Sequence, residues 1–409
     1  MRKKQLYQQL VHRYISGEAS TDEVEVFFHL LNKGKLDGYL REATGRDAAT
    51  GGDLAAHEAI GATTDGDATG GRPALVRSIG TWKWYGVAAA ILLLIGAGIL
   101  LWPRHTTAPA SAVVTNIIKN DVAPGGNKAV LILADGARIT LDSARDGALA
   151  SQGRTKVVKV DAGRLSYRQG SGADGGGKNA AAANGLAAVT YNMLMTPPGG
   201  QYEVTLSDGT KVWLNAMSVL RYPTVFSGLT RTVELSGEAY FEVAKDKDHS
   251  FVVTTAQSQV RVLGTSFNIN SYGDEPGMIT TLLDGAVELS GKGLGPNKGV
   301  VLKPGQQALE DLAGLHGGMS NFKITPDADV EQAIAWKNGS FSFDGADVHT
   351  VMRQIARWYG VKIQYEGTPT TALFGGEIGR DLSLAQVLEG LSKTKVHFRL
   401  ENKTLTVLP

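Results

Sequence analysis

Apolar positions along the chain change period three times. In residues 1–43 they recur every three or four: Leu6, Leu10, Val11, Tyr14 and Ile15, then Val24, Phe27, Phe28 and Leu31. That spacing predicts short amphipathic helices. Gly17 ends the first. Ser20-Thr21-Asp22-Glu23 opens the second as a capping box, in which hydroxyl and carboxylate satisfy free amides reciprocally. Leu36, Tyr39 and Leu40 mark a third short piece. A unit of this size does not bury all these side chains in a firm core of its own. Either its apolar faces pack on one another, or part of the surface awaits a partner.

From residue 44 to about 76 the period vanishes into Gly, Ala, Thr and Asp, which predicts a flexible tether. Next, no charge occurs between Lys83 and Arg104. A run of roughly 20 residues at about 1.5 Å each spans the ~30 Å core of a bilayer, and only a helix satisfies its backbone there. Trp82, Trp84, Tyr85 and Trp102 suit the two headgroup belts, and Pro103 ends the helix. Arg72, Arg77 and Lys83 precede the span, against Arg104 and Lys119 after it. That bias places the N-terminal side in the cytoplasm.

Beyond the span the pattern alternates, as in strands. Pro124-Gly125-Gly126, an apolar run from Ala129 to Leu133, Asp135-Gly136 and Ile139-Thr140-Leu141 form one passage. Pro198-Gly199-Gly200, Tyr202 to Leu206, Asp208-Gly209 and Val212-Trp213-Leu214 repeat it. Each Asp-Gly predicts a hairpin turn, and the duplication predicts a β architecture built by repetition. Gly170 to Gly185 reads as a surface loop. Val233 to Val243 alternates around Gly237, a predicted bend. Short strands continue to Leu302, followed by a turn at Pro304-Gly305, as in a sandwich or roll. In the tail, Phe341 to Phe343 opens a βαββαββ order. Asp347 and Gly360 bound one helix and Ser383 opens the other. A hairpin closes the chain across Glu401-Asn402-Lys403.

Composition narrows the chemistry. Over 409 residues the net charge is +1, without the basic footprint that nucleic acid requires. No cysteine is present, which excludes disulfides, thiolate metal sites and cysteine nucleophiles. His249, His349 and His397 fall in separate segments, so no metal centre or cofactor is expected. Glu234, Glu238 and Glu242 recur every fourth residue, which places all three on one sheet face. A glycosidase would use such a pair, but the sequence supplies no apolar pocket or aromatic platform beside them, and no enzyme is expected. A membrane-anchored module for glycans or cell-wall material is the alternative.

Several strings closely resemble the FecR family of transmembrane sigma-factor regulators. They are Pro198-Gly199-Gly200-Gln201-Tyr202, Leu206 to Ala216, Leu235 to Val243 and Val262 to Asn268. The tail is similar to the family's companion domain and to a short periplasmic module of secretins and TonB-dependent receptors. Ala335-Trp336-Lys337-Asn338-Gly339, Val351 to Tyr359, and Phe374 to Ile378 carry that likeness.

The resemblance implies a single-pass inner-membrane anti-sigma factor of Gram-negative bacteria. Its head would bind an extracytoplasmic-function sigma factor; Val24, Phe27, Phe28 and Leu31 are the candidates, either packing against it or forming the helical core that presents that surface. Its periplasmic part would meet the signalling domain of a TonB-dependent outer-membrane receptor. Phe374, Gly375, Gly376, Glu377 and Ile378 are the candidates there, by strand addition. Relay in the family commonly involves proteolysis. The family carries over no catalytic residue, cofactor, metal or direct nucleic-acid contact. The expected order is an all-α cytoplasmic head (1–45), tether (46–80), transmembrane helix (81–102), β-hairpin repeat and linker (103–189), all-β FecR domain (190–310) and C-terminal α+β module (325–409).

Overall fold

The computed structural model describes residues 2–15, 26, 30, 35, 36 and 39, then 117–153, 155–169, 189–256, 258–291, 299–311 and 321–409. The expected tether and span, the Gly170 to Gly185 loop, and Val24, Phe27, Phe28 and Leu31 lie outside them. Among the described residues no helix is long and apolar enough to cross a membrane.

Two large sheets enclose one core as a barrel-like sandwich. The first passes through Arg138–Thr140, Val130–Ile132, Tyr191–Met195, Val219–Pro223, the first half of Thr230–Glu242, Ser250–Thr254, Ser258–Val262, Val287–Gly291 and Val300–Leu302. The second passes through Gly147–Gln152, Thr155–Asp161, Arg164–Gln169, Gly200–Thr205, Lys211–Leu214, the second half of Thr230–Glu242, Ser266–Ser271, Gly277–Asp284, Gln307–Asp311 and Phe322–Thr325.

The Thr230–Glu242 strand belongs to both sheets. It pairs with Val219–Pro223 as far as Ser236, and with Lys211–Leu214 and Ser266–Ser271 from Gly237 onward. Gly237, at φ +93°, is the corner, and a Cβ there would lie 2.5 Å from the Ser218 hydroxyl. The predicted bend is thus a change of sheet. Val233, Leu235, Ala239, Phe241 and Val243 point inward, where Phe241 stacks on Phe267 at 5.0 Å.

The duplicated passages fold alike. Asp135 accepts from the Ala137 amide and Asp208 from the Thr210 amide, each by Oδ1. Gly136 and Gly209 both sit at φ +86°. One hairpin lies in each sheet. Residues 143–169, expected within the hairpin repeat and linker (103–189) with no strands named there, hold three strands; Val157, Leu165 and Tyr167 join Leu194 and Val204 in the same core. Lys159 obscured the alternation there. It is buried in register with its apolar neighbours, its ammonium 2.6 Å from the Ala144 carbonyl and 3.2 Å from Asp146. Gln307–Asp311 and Phe322–Thr325 likewise extend the β domain past the strand expected to be its last.

The C-terminal module follows the βαββαββ order. Its helices Val348–Tyr359 and Leu384–Ser392 cover a sheet ordered Ile117–Ile118, His397–Glu401, Thr404–Leu408, Lys362–Tyr365. Asp347 caps the first helix through the Thr350 amide, and Gly360 closes it in the left-handed conformation. Ser383 N–H donates to Gln386, the reciprocal half of a capping box. Ser340–Ser342 and Glu377–Gly379 pair apart as a two-stranded sheet. A short helix, Val330–Ile334, precedes the module; at five residues it is too brief for an apolar period to reveal.

Near the N-terminus, Arg2–Ile15 is helical as its spacing predicts. Leu10, Val11 and Leu36 pack against Ile132, Met193, Met195 and Val219 on the outer face of the first sheet. Leu6, expected on the apolar face, is 60% exposed.

Candidate functional site

The C-terminal module is seated on the β domain by the two Pro-Gly-Gly turns. The Gly126 amide donates to the Gly199 carbonyl, and the Gly199 amide donates to the Arg357 carbonyl, both at 2.8 Å. The Trp358 ring lies so close to Gly125 that a Cβ there would come within 2.7 Å of it. The duplication therefore supplies a paired backbone seat for the end of the Val348–Tyr359 helix.

Beside this seat lies a buried ionic cluster. Arg357 Nη2 is 2.6 Å from both Asp274 Oδ1 and Glu275 Oε1, and Arg353 Nε donates to Glu275 Oε2 at 2.7 Å. Burial alone would lower the Arg357 pKa, but Asp274 and Glu275 outweigh it and hold the guanidinium firmly charged. Its plane lies 3.9 Å from the Tyr272 ring centroid.

A second network continues across the joint. Glu238 accepts from the amides of Asn215 at 2.7 Å and Asn268 at 3.1 Å, and the Trp336 indole donates to Asn268 Oδ1. Arg380 donates to the Trp336 carbonyl and to Asn215 Oδ1, both at 2.9 Å, with its guanidinium 3.7 Å above Trp358. Desolvation raises the Glu238 pKa and lowers that of Arg380 to about 10. Arg380 Nε has no hydrogen-bond partner among the described residues. Both Glu238 oxygens accept hydrogen bonds from amides, which anchors the carboxyl in place.

The three glutamates do not share a sheet face. Gly237 puts Glu234 in the first sheet, paired with Arg221 at 2.7 Å, and Glu238 and Glu242 in the second. Glu238 is sealed under the C-terminal module, and Glu242 lies 4.0 Å from Lys211. Exposed His249 pairs with half-buried Asp246, and His349 lies against Tyr365 at 4.6 Å. His397 opens the His397–Glu401 strand of the module, and no acid–histidine cluster suited to a metal occurs among the described residues.

Of the receptor-binding candidates, Phe374 is 2% exposed and belongs to the module core. Gly375, Gly376 and Glu377 are exposed, and Ile378 packs partly against that core. The strand expected from Phe374 begins at Glu377; Phe374 itself makes only a bridge to Ala346.

An aromatic platform, absent from the sequence reading, does exist. Glu203, Trp213 and Tyr240 are register partners across neighbouring strands. With Trp336 and Gln201, Glu203 and Trp213 line an open cleft of about 280 Å³. The Lys337 ammonium covers it, 4.6 Å from Trp213 and 4.7 Å from Tyr240.

The model of the FecR protein family matches residues 192–288, and that of the FecR C-terminal region matches 340–407. The joint is built between them. Asn215, Glu238, Asn268, Asp274 and Glu275 fall in the first match, and Arg353, Arg357 and Arg380 in the second. Two crystal structures of a candidate anti-sigma factor from Parabacteroides distasonis are each 30% identical to the chain. Each covers 53% of this chain, which spans 97% and 98% of theirs, with TM-scores of 0.46 and 0.47. No curated protein matches.

Proposed function

The chain belongs to the FecR family, and on that footing we propose that it is a single-pass anti-sigma factor. Its head, residues 1–45, holds an extracytoplasmic-function sigma factor in the cytoplasm. Its β domain and C-terminal module stand in the periplasm and answer to a TonB-dependent receptor. One observation carries this reading: the uncharged stretch between Lys83 and Arg104 separates a helical N-terminus from the FecR strings. Occlusion is the physical logic, because apolar surface that the sigma factor needs elsewhere is covered by the head.

The aspartate variant of Phe28 tests it. A buried aromatic contact at an interface carries roughly 2–4 kcal/mol, or about 30-fold or more in affinity. Phe28→Asp in the full chain is expected to abolish sigma-factor co-purification and raise transcription from the sigma-dependent promoter. Undiminished capture by this variant would remove Phe28 from the binding face.

Contact between Arg2–Ile15 and the first sheet favours a rival arrangement, a head held on the β domain in one compartment. A chain that crosses the membrane between head and β domain cannot make that contact within itself. On the proposed reading, the face of Ile132, Met193, Met195 and Val219 is covered by something other than the head. The cleft at Trp213 favours the glycan-binding alternative, in which a sugar ring would have to displace Lys337.

A further inference from the structure

Residues 117–122 strap the start of the described β region onto the C-terminal module. Ile117 and Ile118 pair in parallel with Arg399 and Leu400, on the outer edge of the His397–Glu401 strand. The Lys119 amide donates to the Leu400 carbonyl at 2.8 Å, and its ammonium lies 2.9 Å from Glu401. Asp121 Oδ1 accepts from the Ala385 amide at 2.8 Å, and the Val122 carbonyl accepts from Leu384 at 2.9 Å. The strap thus reaches from a sheet edge to the first turn of the Leu384–Ser392 helix.

Its hold is shallow. Only two residues pair, whereas Thr404–Leu408 fills the opposite edge of the same strand over five. Ile117 is 47% exposed, and the Lys119 and Glu401 side chains are 67% and 43% exposed. An ion pair so open to solvent contributes about 0–1 kcal/mol. Ile118 and Val122 alone bring side chains partly into the module core. An edge strand covered over two of its residues is a template for another strand.

We propose that the outer edge of His397–Glu401 is a strand-docking site, filled in cis by residues 117–119 and taken in trans by an extended segment of a protein partner. The occupant now seated defines what fits: a parallel strand with a β-branched residue at the half-buried position of Ile118, followed by a cation facing Glu401. Exchange releases Ile117, Ile118 and Lys119, which follow the proposed span in the sequence, for cleavage. That consequence rests on the membrane reading; the docking does not.

The absence of native cysteine makes the test clean. Partners across a ladder lie within disulfide reach, so Ile117→Cys with Arg399→Cys gives one reversible bridge over the strap. The probe is a fluorescent peptide, Asn116-Ile117-Ile118-Lys119-Asn120-Asp121-Val122, titrated by anisotropy into detergent-solubilised full chain. The bridged protein is expected to bind it at least tenfold more weakly than the same protein after reduction. Ile118→Asp, which loosens the cis strand, is expected to bind it at least tenfold more tightly than the parent. Equal binding by bridged and reduced protein, or no binding by any form, overturns the docking site. Sigma-factor capture on the same preparations keeps the two ideas apart: capture with a failed peptide result sinks this inference alone, and the reverse sinks the anti-sigma reading alone.

Discussion

Arg357→Ala should destabilise the protein by about 3–5 kcal/mol, the usual effect of removing one partner from a buried ion pair. Two carboxylates converge on this guanidinium at 2.6 Å, and the three side chains are each only 9–12% exposed. Without it, Glu275 keeps only its pairing with Arg353 among the ion pairs of the described residues. The loss reaches beyond stability, because Asp274 and Glu275 belong to the β domain and Arg357 to the module. Urea unfolding followed by tryptophan fluorescence should therefore split into two transitions, the module opening first. Arg357→Lys keeps the charge but not the planar fork, and should fall between the variant and the parent. A single transition displaced by less than about 1 kcal/mol would show that the cluster does not hold the joint.

Trp358→Ala carries an effect of similar size, about 3–5 kcal/mol for a large buried aromatic. The ring fills the seat at Gly125, its indole donates to the Arg380 carbonyl at 2.9 Å, and the Arg380 guanidinium rests on its face. Removing it exposes an arginine already short of one partner at Nε. Trp358→Phe keeps most of the packing and loses the indole hydrogen bond, so about 0.5–1.5 kcal/mol should suffice for it. Equal costs for the alanine and phenylalanine variants, measured by the same unfolding, would mean that the hydrogen bond and not the packing matters.

Local chemistry was readable where it decided local structure. The Asp-Gly turns, the caps at Asp347, Gly360 and Ser383, and the bend at Gly237 all follow from one residue and its near neighbours. The joint was not readable, because its bonds from one domain to the other link residues 68 to 165 positions apart. A hint existed: Arg353 and Arg357 stand one helical turn apart on an element whose apolar stripe was already assigned, so the pair required acids elsewhere. Period-two reasoning also misplaced the glutamates, since it assumes a strand that stays in one sheet. The strap left no signal either, because two isoleucines outside any alternation do not announce a strand.

Topology tests the central claim most directly. With no native cysteine, Lys4→Cys and Lys247→Cys each place a single thiol on an exposed position, one in the N-terminal helix and one in the β domain. Cells with a permeabilised outer membrane are treated with a maleimide that cannot cross the inner one. The account predicts labelling of Lys247→Cys in intact cells and of Lys4→Cys only after lysis. Equal labelling of both before lysis would put head and β domain in one compartment and contradict it.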